Sequence, residues 1–116
     1  FLWNRKGQIR TLAAADAVLD VWEQEDVAGH IARIGGAMLD GVSGVGSREP
    51  ALLGVPQMWF LRFADQERER RFLLGCARRG FLLKRGAYNF PSLAHGEAEV
   101  KDTLDAVRGA LAEAPA

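Results

Sequence analysis

Apolar residues recur at helical spacing through the first part of the chain. Ile9, Leu12, Leu19 and Trp22 share a stripe that alanines fill in, and Asp16, Asp20 and Glu23 lie largely off it. The spacing predicts a helix from Ile9 to about Gln24. An acidic turn, EQED, precedes a second pattern. There Val27, Ile31, Ile34 and Met38 stand at i, i+4, i+7 and i+11, one face of a helix. Asp26 is placed as its N-cap, because a short carboxylate accepts the N–H groups that a first turn leaves without partners. Gly35 and Gly36 are poor helix formers inside this pattern, and their lack of a side chain lets another backbone approach closely.

After a loop-like stretch, GVSGVGSREP at 41–50, the character changes. Residues 52–63, LLGVPQMWFLRF, are aromatic and aliphatic and read as strand. Pro56 has no N–H for a ladder and belongs at an edge or a bulge. Residues 65–79 return to helix, with Phe72, Leu73 and Cys76 inward and the arginines outward, and Gly80 ends it with a positive φ. FLLK at 81–84 reads as a short strand and RGAYNFP at 85–91 as a turn or second short strand. Val100, Leu104, Val107 and Leu111 then mark a last helix. With Gly96 as its N-cap, Glu99 falls at N3 and can reach back to the cap's N–H, half of a capping box. Glu97 and Glu99 both suit the positive helix end.

The order helix, helix, strand, helix, strand, short strand, helix predicts an α+β domain. A small, mostly antiparallel sheet is covered by helices on one face, with part of the other face buried against something outside the chain. A length of 116 residues fits one domain spanning 1–116. Fifteen basic and fifteen acidic residues cancel, so overall charge gives no reason to expect nucleic acid or an anionic membrane as partner. No apolar run approaches the ~18 residues of a membrane span. The single Cys76 forms no internal disulfide and sits in an apolar run, which points to a reducing, cytoplasmic setting. The chain opens at Phe1 without an initiator methionine, as a piece cut from a longer protein does.

The candidate chemistry is sparse. His95 precedes the last helix in NFPSLAH, where a histidine bonding backbone at the helix start is the plainer reading than a catalytic one. His30 is the other histidine, and no Cys/His/carboxylate spacing resembles a zinc site. Arg68, Arg70, Arg71, Arg78, Arg79, Lys84 and Arg85 form a basic region. Phosphate or RNA is the sharper reading of it, but Asp65, Glu67 and Glu69 are interleaved, so a solvated helix face is preferred. Gly44 and Gly46 form a glycine pair without the flanking strand and helix of a phosphate loop. Residue chemistry alone stops at an α+β domain.

A resemblance carries the reading further. RRGFLLKRGAYNFPSLAHGEAEVKDTLDAVRGALAEA resembles the C-terminal end of class III aminotransferases, pyridoxal-phosphate enzymes of fold-type I. Within that family it is similar to the glutamate-1-semialdehyde aminomutase subgroup. Ser92, Leu93, Ala94 and His95 match that family's Ser-x-x-His segment, and Glu97, Glu99, Leu104 and Val107 fit the helix after it. TLAAADAVLDVWEQEDVAGHIARIGGAMLDGV is similar to the family's alanine-rich helix, acidic turn and next helix.

The resemblance implies the small domain of an aminotransferase that transfers an amino group between an amino compound and a keto compound. It implies pyridoxal 5'-phosphate as cofactor, a large cofactor-binding domain of the same chain as partner, and a homodimer. The Schiff-base lysine is then expected outside this piece, since Lys6, Lys84 and Lys101 do not match the family's lysine context, and Thr11 does not match its phosphate-binding threonine. Arg85, Tyr88 and Asn89 are the expected substrate-facing residues, with Arg85 able to pair a carboxylate through two N–H groups. No glutamate lies between Gly80 and His95, where the aminomutases carry one, so transamination is preferred to the aminomutase reaction. The alternative from the residues alone is a free-standing α+β binding or regulatory module without catalysis. A fully polar second sheet face would favour the module, and an exposed apolar one a missing partner domain.

Overall fold

A computed structural model describes residues 5–45 and 49–116, with side chains from residue 8 onward in the first helix. The elements in chain order are α1 (Arg5–Gln24), α2 (Val27–Val45), β1 (Ala51–Val55), β2 (Met58–Arg62), α3 (Gln66–Arg78) and α4 (Glu97–Glu113). The α+β class holds. The chain divides into two compact units, 1–30 and 31–116.

In the first unit α1 begins four residues before the expected start. Its apolar stripe has nothing to pack on within that unit, and Ile9, Leu12, Leu19 and Trp22 are all exposed. Asp26 caps α2 as its chemistry requires, its Oδ1 accepting the N–H of Gly29 at 3.0 Å.

The second unit holds the core. Ile34, Met38 and Val42 of α2, Trp59 and Leu61 of β2, Phe72 and Cys76 of α3, and Val100, Val107 and Ala110 of α4 form one buried cluster. Small residues let the helices close on it. Gly75 of α3 lies where a Cβ would stand 3.0 Å from the Cβ of Ala110, so the two helices cross at backbone range. Gly35 does the same for α2 against the hairpin, since a Cβ there would collide with the carbonyl of Pro56. Gly36 faces open space, so of the two glycines only Gly35 serves a close approach.

The strand expected over 52–63 is a β-hairpin. Pro56 and Gln57 form a two-residue turn, and the register runs from Val55↔Met58 to Ala51↔Arg62. Proline fits the first turn position because its φ is fixed there and its missing N–H is not needed. Gly54 takes φ +120, a conformation L side chains rarely adopt, and accommodates the bend just before the turn.

FLLK is not a strand. Phe81 and Leu83 turn inward while Leu82 is 89% exposed, so the side chains alternate as expected. The backbone donors at the two ends go elsewhere: Phe81 N–H bonds the Cys76 carbonyl, and Lys84 N–H bonds Asn89 Oδ1. The only further pairing among the described residues is a bridge between Trp59 and Asn89 on the open edge of β2. The sheet is therefore two-stranded, with RGAYNFP contributing one paired residue.

α3 ends as expected at Gly80, φ +87, with Gly80 N–H on the Ala77 carbonyl and Phe81 N–H on that of Cys76. This is the paired arrangement that satisfies a helix's last carbonyls. One arginine departs from expectation. Arg68 points inward and is buried, its Nε donating to the Ala114 carbonyl at 2.9 Å and its guanidinium lying over the Phe63 ring at 5.7 Å. A guanidinium is tolerated there because a carbonyl and an aromatic face replace its water.

Candidate functional site

Opposite residues of an antiparallel pair point to the same face. Trp59 and Leu61, with Gly54 and Leu52 across from them, therefore face the core. Leu53, Val55, Met58 and Phe60 face the other way, as do Ala51 and the exposed Arg62 at the far end. Apart from Arg62 that outer face is apolar and open: Val55 and Met58 are exposed, and Leu53 and Phe60 are half-buried. Tyr88 extends it, its ring edge-on to Phe60 with centroids 5.1 Å apart. This is a favourable aromatic geometry, and it places the tyrosine at the margin of the apolar face.

The loop that carries Tyr88 brings the three residues singled out in the sequence into one short segment. Arg85 Nε donates to Glu69 Oε2 at 2.8 Å, and that carboxylate is largely buried. A charge-assisted bond of this length holds the loop against α3 and leaves the guanidinium half-exposed. Asn89 is fixed through both main chain and side chain. Its N–H donates to the Trp59 carbonyl at 2.7 Å and its carbonyl accepts from Trp59 N–H at 3.1 Å. Its Nδ2 also donates to the Trp59 carbonyl, and its Oδ1 accepts from Lys84 N–H at 2.9 Å. Lys84 reaches over the Phe90 ring, 5.7 Å from its centroid.

Immediately downstream, NFPSLAH closes on itself. Nδ1 of His95 accepts the N–H of Ser92 at 2.9 Å and meets Ser92 Oγ at the same distance, while His95 N–H returns to the Ser92 carbonyl. The half capping box forms as expected, with Glu99 Oε2 accepting Gly96 N–H at 2.8 Å. That bond holds the Glu99 carboxyl below its usual range, and the nearby His95 adds to the effect. Ser92 and His95 therefore join a loop to a helix, with Nδ1 of His95 engaged in that turn.

Several other chemically suggestive groups are already compensated. A shallow depression of about 370 Å3 is lined by Arg79, Phe81, Asp102, Asp105 and Ala106. Arg79 there is paired with Glu113, and Asp105 with Lys101 and Arg108. The Cys76 thiol is pushed up to about 11 by burial, which makes it an inert core group. Among the described residues no group of three or more His, Cys, Asp or Glu could hold a metal ion, and no helix is long and apolar enough to cross a membrane.

A pyridoxal cofactor needs a lysine that can be neutral. Lys101 is exposed and bonded to Asp105, which raises its pKa, and Lys84 is exposed over Phe90. Neither fits, and no step through the cofactor is assigned to them. The side chain of Lys6, and Gly46 of the glycine pair, lie outside the described residues. Sequence reasoning missed the Glu69–Arg85 pair and the outer-face role of Phe60. The alternation around Trp59 could have signalled the second; residues 16 apart in sequence offered no signal for the first. No protein-family model and no curated protein matches the chain.

Proposed function

We propose that this chain is the small domain of a class III, fold-type I aminotransferase, with the outer face of the hairpin turned toward a large pyridoxal-phosphate domain of the same chain. The observation that carries this reading is the character of that face. Leu53, Val55, Met58, Phe60 and Tyr88 make it apolar but for Arg62 at its end, where a free-standing module needs a polar surface. The order of the resembling segments supports it, and so does the Ser92–His95 turn, which gives the Ser-x-x-His segment a role as a loop-to-helix join.

On this reading the cofactor-binding lysine and the carbanion chemistry belong to the large domain. The small domain supplies Tyr88 and Arg85 at the margin of the active site and excludes water from it. Small amino and keto compounds are the substrates, the working unit is a homodimer, and the setting is cytoplasmic. Purified alone, the 116-residue chain is inactive.

The test is the intact mass and absorbance of the natural protein from its source cells. A mass several times 12.7 kDa, with the yellow absorbance of a lysine-bound cofactor, is the expected result. A mass near 12.7 kDa without that absorbance replaces the aminotransferase with the binding or regulatory module.

A further inference from the structure

The three candidate residues of the 85–89 loop are not equivalent. Arg85 and Tyr88 touch the body of the domain by one contact each, to Glu69 and Phe60. Asn89 instead uses both ends of its side-chain amide on backbone. Oδ1 takes the N–H of Lys84, where the loop leaves, and Nδ2 gives to the carbonyl of Trp59, on the hairpin. The main-chain bridge between Asn89 and Trp59 sets the register on its own, so the amide is not needed for it. Between Lys84 and Asn89 the backbone bends over 85–87, with Gly86 at φ +57.

We propose that Asn89 is the positioning residue of this loop: its side-chain amide clamps Lys84 to the hairpin and so sets where Arg85 and Tyr88 stand. The clamp itself stands on the hydrogen bonds. Its bearing on substrate rests on the reading of the loop as part of an aminotransferase site. Asn89 then acts through Tyr88 and Arg85 rather than by touching substrate. The chemistry divides cleanly between variants. Asn89→Asp keeps an acceptor for Lys84 N–H and loses the donor to Trp59. Asn89→Ala loses both.

Amide hydrogen exchange followed by NMR on the chain tests the clamp. In Asn89→Ala the amide of Lys84, whose N–H bonds the Asn89 side chain, exchanges roughly three- to tenfold faster, the effect of one net hydrogen bond, while those of α3 and α4 keep their native rates. In Asn89→Asp the Lys84 amide stays slow. An unchanged Lys84 rate in Asn89→Ala, or a Lys84 amide as fast in Asn89→Asp as in Asn89→Ala, overturns the proposal. Should Asn89→Ala fail to fold, Asn89→Leu, which fills the same space without an acceptor, takes its place and is expected to show the same fast Lys84 amide.

The functional arm uses the full-length enzyme. There Asn89→Ala raises KM for the amino substrate more than it lowers kcat, and Asn89→Asp recovers most of the loss. A fast Lys84 amide in Asn89→Ala together with no transamination by the native full-length protein retains the clamp and removes only the aminotransferase. A slow one in an active enzyme removes only the clamp.

Discussion

Helices α1 and α4 are written in the same periodic language and meet opposite fates. In α4, Val100, Val107 and Ala110 are buried, and α3 lies against them through Gly75. In α1, Leu12 is 68% exposed, Leu19 60% and Trp22 51%. Periodicity states which face of a helix is apolar. What covers that face depends on residues elsewhere, and for α4 these are small side chains that permit a close crossing. The hairpin repeats the lesson on a smaller scale: its inner face joins the core that three helices share, and its outer face leaves Val55 and Met58 exposed.

The contrast can be broken most forcefully by truncation. Phe72→Ala removes a fully buried ring and is expected to destabilise the chain by about 3–5 kcal/mol, read as a fall in the denaturant midpoint. Trp22→Ala, a still larger truncation, should change stability by no more than about 0.5 kcal/mol in the same experiment. Equal losses would mean that α1 is covered in solution and that the comparison is wrong.

Adding a methyl group gives a finer test. Gly35→Ala drives a Cβ into the Pro56 carbonyl and is expected to cost about 1–3 kcal/mol. Its neighbour faces open space, so Gly36→Ala should stabilise α2 by up to about 1 kcal/mol through helix propensity. Thermal unfolding of both variants separates them by sign.

The smallest effect belongs to the start of α4. Glu99 has a folded-state pKa below its ordinary value, so its contribution is present above that ordinary value. It fades as pH falls through the lower folded value. Glu99→Gln should therefore lower the Tm at neutral pH, and the gap to the native chain should close under acid. A gap that stays constant down to pH values near 2, below the whole carboxylate range, would show that the capping carboxylate is not its source.

Much of the fold was legible because it rests on local chemistry. Asp26, Gly80, Gly96 and Glu99 each do at a helix end what their side chains, or the lack of one, allow. The hairpin was less visible. Pro56-Gln57 is not the Asn-Gly type of signal that marks a two-residue turn, and the strain of the bend is absorbed at Gly54 instead. Polarity placed Arg68 outside; the carbonyl of Ala114, 46 residues away, brings it in. At the candidate site, the family resemblance singled out Arg85, Tyr88 and Asn89 within one short stretch. Their separate partners, Glu69, Phe60 and Trp59, became apparent only with the fold.

The burial of Trp59 and the exposure of Trp22 also give the molecule two optical reporters. Trp59 is 2% exposed in the apolar core and should emit at short wavelength and resist quenching by iodide. Trp22 stands half in water on α1, where emission shifts to the red and iodide reaches it freely. A chain carrying Trp59 with Trp22 and Trp3 replaced by phenylalanine would follow the core alone. The converse chain, keeping only Trp22, would register the moment anything settles on α1 as a blue shift.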